Sequence, residues 1–159
     1  MKRITDSLAT EHDLFCRLFD EIGRLLPELS TVEEARRLSR LVAALLSHHA
    51  SVEENLAFPA LDHALAEAGG LHHLYQDHEE IDGHLMGAAL APNLPEAIRL
   101  LKVGMKATRA HFRREEQQVF PLLEKSLTPA ALDMLGDAAI ADRLALGRRG
   151  FDNTWENGG

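Results

Sequence analysis

Apolar positions along the chain recur at steps of three and four, the period of an amphipathic helix, in four long series. The first, Leu8, His12, Phe15, Phe19, Ile22 and Leu26, stops at Pro27 and predicts a helix over residues 5–26. Ser30-Thr31 ahead of Glu33-Glu34 is a capping signal, and Leu38, Leu41, Leu45, His49, Val52 and Leu56 carry the second series. That helix starts near residue 31, bends at Pro59 and ends by Gly69-Gly70. Leu71, Leu74, His78, Ile81 and Leu85 predict a third helix over 71–90, before Pro92 and Pro95 break the chain. The fourth series begins at Pro95, a residue favoured in a first turn. It passes Ile98, Leu101, Met105, Thr108, His111, Glu115 and Leu122, with a bend at Pro121. Thr128-Pro129 opens a short fifth helix to about Leu146, and the Gly-, Arg- and Asn-rich stretch 147–159 reads as a flexible tail.

Four long helices on short connections imply an all-α fold. The expected architecture is an antiparallel up-down-up-down four-helix bundle with a short additional C-terminal helix. A length of 159 residues suits one domain, placed at residues 1–146. Composition agrees: 45% of residues are hydrophobic but only 5% aromatic, so the core must rest on Leu, Ala, Val and Ile. A net charge of −8, with no dense Lys/Arg cluster, would repel a phosphate backbone and excludes nucleic acid as the expected partner. No apolar run approaches the roughly 20 residues that span a bilayer, and the acidic residues after the basic start break any leader pattern. A soluble, cytoplasmic protein is expected. The one cysteine, Cys16, rules out an internal disulfide. No nucleophilic triad, phosphate loop or paired-cysteine motif is present.

Histidine changes the picture. There are nine, and the four that fall on the apolar stripes, His12, His49, His78 and His111, come one from each long helix. An internal echo joins two of these helices. His49 to Pro59 and His111 to Pro121 share the frame H-x-x-x-E-E-x-x-x-F-P. Residues four apart on a helix lie one above the other, so Glu53 joins His49 and Glu115 joins His111 on the inward face. In an alternating bundle all four histidines fall in one layer, about 20–27 Å from a common end.

Two glutamates buried without partners would cost several kcal/mol each, a large part of a typical stability of about 5–15 kcal/mol. Cations resolve that cost. Six ligands suit a pair of ions, which carboxylates can bridge about 3.5–4 Å apart while imidazoles take the terminal positions. Mixed imidazole and carboxylate donors suit iron, zinc or manganese, and the histidine share leans toward iron.

These four inward histidines and two repeated frames resemble the hemerythrin-like, or HHE cation-binding, family over roughly residues 5–126. The resemblance implies two iron ions with an oxo or hydroxo bridge, with metal roles at His12, His49, Glu53, His78, His111 and Glu115. The ferritin-like class uses Glu-x-x-His, and no histidine here has a glutamate three residues before it. Oxygen-carrying hemerythrins have H-x-x-x-H on helix three, whereas Leu74 stands four residues before His78. The shell is one donor short, leaving Tyr75, Asp82 or water to fill the gap.

The remaining candidates have plainer readings. His73, Asp77, Glu80 and His84 form a solvated face, and His48, His63 and His72 are surface residues. Cys16 is a small core residue or, as the alternative, a thiol near the metals. Glu54 and Glu116 support the ligands or lie at the surface, Phe58-Pro59 and Phe120-Pro121 seat the bends, and Phe151 and Trp155 cap the bundle or meet a partner.

The function expected is a metal-binding protein that reacts with or senses oxygen, nitric oxide or redox state through a small diatomic or peroxide ligand. The alternatives are an enzyme that decomposes peroxide or reduces nitric oxide, and an iron storage or donor protein. A stand-alone sensing module would also need a protein partner to read its signal.

Overall fold

A computed structural model describes residues 2–65 and 71–151, with side chains at 2–62 and 71–144. The helices are α1 (Ile4–Leu25), α2 (Val32–Val52), α3 (Phe58–Leu65), α4 (His72–Leu90), α5 (Leu94–Arg114), α6 (Phe120–Ser126) and α7 (Pro129–Phe151). There is no strand among the described residues, and none of their helices is long and apolar enough to cross a membrane.

Local chemistry sets the helix starts. Thr31 and Glu34 form a reciprocal capping box: the Glu34 N–H donates to Thr31 Oγ1 at 3.3 Å, and the Thr31 N–H donates to Glu34 Oε2 at 2.8 Å. Asn93 Oδ1 accepts from the Glu96 N–H at 3.0 Å to open α5, with Pro95 in the first turn. Thr128 Oγ1 does the same for Ala131 at the start of α7.

The bends expected at Pro59 and Pro121 take a specific form. A π-helical turn, Glu53–Ala57, joins α2 to α3, and another, Glu115–Val119, joins α5 to α6. In each, the phenylalanine N–H reaches back five residues, from Phe58 to the Glu53 carbonyl and from Phe120 to the Glu115 carbonyl. The following proline has no N–H to give and its ring crowds the carbonyl four residues back, so a wider turn relieves the conflict. Both repeats bury the same five places: His49, Glu53, Ala57, Phe58 and Leu61 in one, His111, Glu115, Val119, Phe120 and Leu123 in the other.

Two apolar clusters make the core. One gathers Ile4, Leu8, Phe58, Leu61, Leu74, Phe120 and Leu123. The other gathers Phe19, Ile22, Val42, Leu46, Ile81, Leu85, Leu101 and Met105. The chain passes from the first cluster to the second along α1, returns along α2 and α3, and repeats the circuit along α4 and then α5 and α6. Each of the four stripe histidines lies at the crossing between the clusters. The polar layer is therefore sealed at both ends by hydrocarbon.

α7 is not short. It is 23 residues long and runs past the end expected at Leu146, while the tail beyond Phe151, with Trp155, and the Gly69-Gly70 stop lie outside the described residues. Leu132 and Ala139 of α7 are buried in the first cluster. Close approach fixes its position: a Cβ on Gly136 would meet the Lys2 carbonyl oxygen at 2.0 Å.

Candidate metal centre

The inward face of each long helix delivers its histidine to the layer between the clusters. His12, His49, Glu53, His111 and Glu115 are buried, and His78 is nearly so. Their ligand atoms fall into two sets, each within 4.8 Å: His12, His49, Glu53 and Glu115, and Glu53, His78, His111 and Glu115. The two glutamates belong to both sets. Thus the six residues singled out by the stripes come together, with two imidazoles on either side of a shared carboxylate pair.

Most of the inward-facing polar atoms in this layer lack partners. All four carboxylate oxygens of Glu53 and Glu115, and Nε2 of His12 and His49, are buried without a hydrogen bond. His49 Nε2 does lie 2.9 Å from Glu53 Oε1, but without hydrogen-bond alignment. His12 Nε2 stands 3.6 Å from Glu53 and 3.4 Å from Glu115, and His111 Nε2 stands 3.4 Å from Glu115. Buried polar groups are nearly always satisfied, so orphaned donors and acceptors aimed at common points are the signature of a cation site. The donor set of imidazole nitrogens and carboxylate oxygens fits a pair of divalent or trivalent ions.

Behind each ring stands a second carboxylate. His12 Nδ1 donates to Glu116 Oε1 at 2.8 Å, His49 Nδ1 to Glu11 Oε2 at 2.7 Å, His78 Nδ1 to Glu54 Oε1 at 2.6 Å and His111 Nδ1 to Asp77 Oδ2 at 3.1 Å. With Nδ1 carrying a proton, Nε2 is the nitrogen that each ring turns toward the centre. The relation is circular, because each carboxylate sits beside one of the six core candidates on its own helix yet serves the histidine of a neighbouring one.

Electrostatics follow from this crowding. Burial works against charge on His49, but Glu53 and Glu11 raise its pKa to about 10. His78 is raised to about 9 against the same burial by Glu53 and Glu54. Burial and the neighbouring charge of Glu53 push the Glu115 carboxyl up. Glu53 is also opposed by burial, yet the charge on His49 and the surrounding imidazoles hold it well below the usual carboxylate range. Without metal, protons do the work of neutralisation.

Some single-helix readings change. Asp77 leaves the expected solvated face to accept from His111, while His73 and Glu80 are exposed and His84 lies 3.6 Å from Glu80. Glu54 and Glu116 take the supporting role. Glu11 was not visible as a site residue, although Glu11-His12 and Asp77-His78 place a carboxylate before the histidine on both intervening helices. Tyr75 packs edge-on against Phe58, with ring centroids 5.3 Å apart, and Asp82 is exposed and belongs to neither ligand set. Cys16 packs partly buried against the second cluster. His72 is exposed and His48 half-buried, while the His63 side chain lies outside the described residues.

Access differs around the centre. Phe112 stacks on His12 at 3.9 Å and, with Phe15 and Phe120, covers that ring. A cavity of about 200 Å³ between α2, α4 and α5 reaches His49, His78 and His111, with Ser47, Ser51, Asp82 and Thr108 in its lining, and a second of about 270 Å³ between α1 and α2 reaches His49 past Phe15. The family model described as hemerythrin HHE cation binding domain matches residues 3–123, which contain all six core ligand candidates. No curated protein and no solved structure matches the chain. The match covers most of the chain, and the chain belongs to the hemerythrin HHE cation-binding family.

Proposed function

We propose that this chain holds two iron ions, joined by a solvent-derived bridge, on His12, His49, Glu53, His78, His111 and Glu115. The centre lies inside an antiparallel up-down-up-down bundle formed by residues 1–146, and it reacts with or senses oxygen, nitric oxide or redox state. The observation that carries this reading is the pair of ligand sets sharing Glu53 and Glu115, both fully buried with every oxygen unpartnered. The chain's alternation between the two apolar clusters supports the bundle topology.

Bound iron would supply one-electron chemistry and a coordination position that exchanges ligands. The protein's own part is to hold that chemistry in place. Glu11, Glu54, Asp77 and Glu116 fix the imidazole orientations, and the apolar clusters exclude bulk water from above and below. The cavity beside His78 is large enough to admit a diatomic molecule or peroxide. Leu74 gives no donor and Asp82 stays outside the ligand sets, so an ion held by His78, His111, Glu53 and Glu115 would keep a position open to exchangeable water.

One observation favours an enzymatic second reading. Asp82, Ser47 and Ser51 line the cavity, and reduction of peroxide or nitric oxide consumes protons that such groups can pass inward. Anaerobic purification, metal analysis, and optical spectra after adding oxygen, nitric oxide or peroxide in turn test both. A stoichiometric spectral change without turnover supports sensing, and steady turnover supports the enzyme. Rapid loss of the ions to a mild chelator would point to iron storage or donation, and zinc or manganese in place of iron would overturn the di-iron reading.

A further inference from the structure

Two of the four supporting carboxylates are clamped from outside by an arginine. Glu11 divides its oxygens: Oε2 accepts from His49 Nδ1 at 2.7 Å, while Oε1 pairs with Arg143 Nη2. Arg143 is itself tied down, with Nη1 donating to Ser7 Oγ at 2.9 Å. On the other side of the centre, Arg114 Nη2 lies 2.7 Å from Asp77 Oδ2, the oxygen that accepts from His111 Nδ1. Among the described residues, Glu54 and Glu116 pair only with their histidines. Each half of the centre thus has one clamped and one unclamped imidazole, and the clamped one in each case sits in the repeated frame.

The two arginines come from different places. Arg114 lies within the family-matched residues, one position before Glu115. Arg143 lies on α7, beyond that match, and reaches Glu11 because Gly136 lets α7 press against the start of α1. α7 has therefore an additional task besides covering the first cluster.

The geometry points to Arg143 as a positioning residue of the metal centre, holding Glu11 on His49 Nδ1 so that His49 presents Nε2 to the ion it shares with His12. The inference rests on the metal-pair reading above. A carboxylate free to swing toward solvent would orient the imidazole poorly and accept a weaker hydrogen bond, and loss of such support lowers metal affinity by about 10- to 100-fold. The bidentate reach of guanidinium, one nitrogen on Ser7 and one on Glu11, is what lysine cannot fully reproduce.

The test is anaerobic titration of the metal-free full-length chain with cobalt(II), followed by optical absorption and by the exchangeable Nδ1 proton signals of the cobalt-bound imidazoles. The parent should bind two ions. Arg143→Met should weaken one of them by about 10-fold or more and leave the other as it was, with faster solvent exchange at a single Nδ1 proton. Arg143→Lys should recover part of the loss, Arg114→Met should weaken the other ion, and Glu11→Gln should add little to Arg143→Met. Leu132→Ala controls for docking of α7, since it removes buried apolar contact but leaves the clamp. Equal binding of both ions by parent and Arg143→Met overturns the inference. So does the same selective loss in Leu132→Ala, which would make Arg143 only a fastening for α7. A parent that takes up fewer than two ions overturns the metal-pair reading itself, a result distinguishable from either.

Discussion

The Nε2 atoms of His78 and His111 stand 2.8 Å apart, each ring held from behind by a carboxylate. Two imidazoles forced this close cannot both carry a proton at that contact without repulsion, and the neighbouring glutamates nevertheless raise both pKa values against burial. An ion accepting both lone pairs removes the conflict.

Metal and protons therefore compete. The folded-state pKa of His49 is about 10 and of His78 about 9, both above the usual 6.5. A raised histidine contributes stability that is complete below about pH 6.5 and is lost as pH climbs through 9 to 10. The metal-free protein should lose thermal stability across that window, while the loaded protein should stay nearly flat and release protons on loading. Melting curves of both forms from neutral to alkaline pH check this. At neutral pH, stripping the metals should lower Tm by about 5 °C or more, and an apo form equal to the loaded one at every pH would remove the case for the site.

Glu115→Gln should split stability from metal uptake. Glu115 and Glu53 are both fully buried and repel each other, which is part of why Glu115 resists ionising. A neutral isostere relieves that repulsion in the metal-free protein, so its Tm should hold or rise. It also removes one of the two carboxylates common to both ligand sets, so bound metal should fall below two ions per chain. His111→Ala should lose metal as well, whereas His84→Ala, beside Glu80 and outside both ligand sets, should keep the full complement. Equal metal loss in all three would mean the ligand sets are misassigned.

The stripes and the repeated frame made the six core residues legible, because helical period alone sends them inward and the four histidines level. The supporting shell was not legible by the same means. Glu11, Glu54, Asp77 and Glu116 each neighbour a core candidate in sequence, about 100° around their own helix, which turns them away from the core stripe when one helix is read alone. They face the adjacent helix's histidine, a relation between helices that no single period encodes. Arg143 was hidden for a stronger reason, being over a hundred residues from its Ser7 partner. The prolines signalled bends, but the π turns follow from the whole E-E-x-x-x-F-P segment resolving a lost N–H and a crowded carbonyl together.

Two glycines should respond in opposite directions to alanine. Gly83 lies within α4 with open space where a Cβ would go, so Gly83→Ala should stabilise by about 0.5–1 kcal/mol through helix propensity. Gly136→Ala meets the Lys2 backbone at a distance no packing tolerates. Displacing α7 should cost about 1–3 kcal/mol, exceeding the propensity gain. Chemical denaturation of the metal-free variants gives both signs, and a stabilised Gly136→Ala would show that α7 does not press on the start of α1.

The absent helix-three histidine bears on whether oxygen can be carried intact. Leu74 is fully buried in the first apolar cluster, four residues before His78, so an ion bound on that side would meet two imidazoles and the two shared carboxylates. Tyr75 packs on Phe58, and Asp82 is exposed at the cavity and outside both ligand sets. Reversible carriage needs a stable reduced pair with one controlled open position. An ion bound there with an additional exchangeable position, beside a partly polar cavity, should instead oxidise quickly and react with small oxidants. The reduced protein, exposed to oxygen and then deoxygenated under vacuum, should fail to regain its reduced spectrum. Leu74→His restores the H-x-x-x-H spacing and should slow that oxidation, though it places a polar ring among Phe58 and other apolar neighbours and its melting curve must be read beside the parent's. Repeated recovery of the reduced spectrum by the parent chain would show that four histidines and two carboxylates suffice for carriage and that the missing ligand does not decide the chemistry.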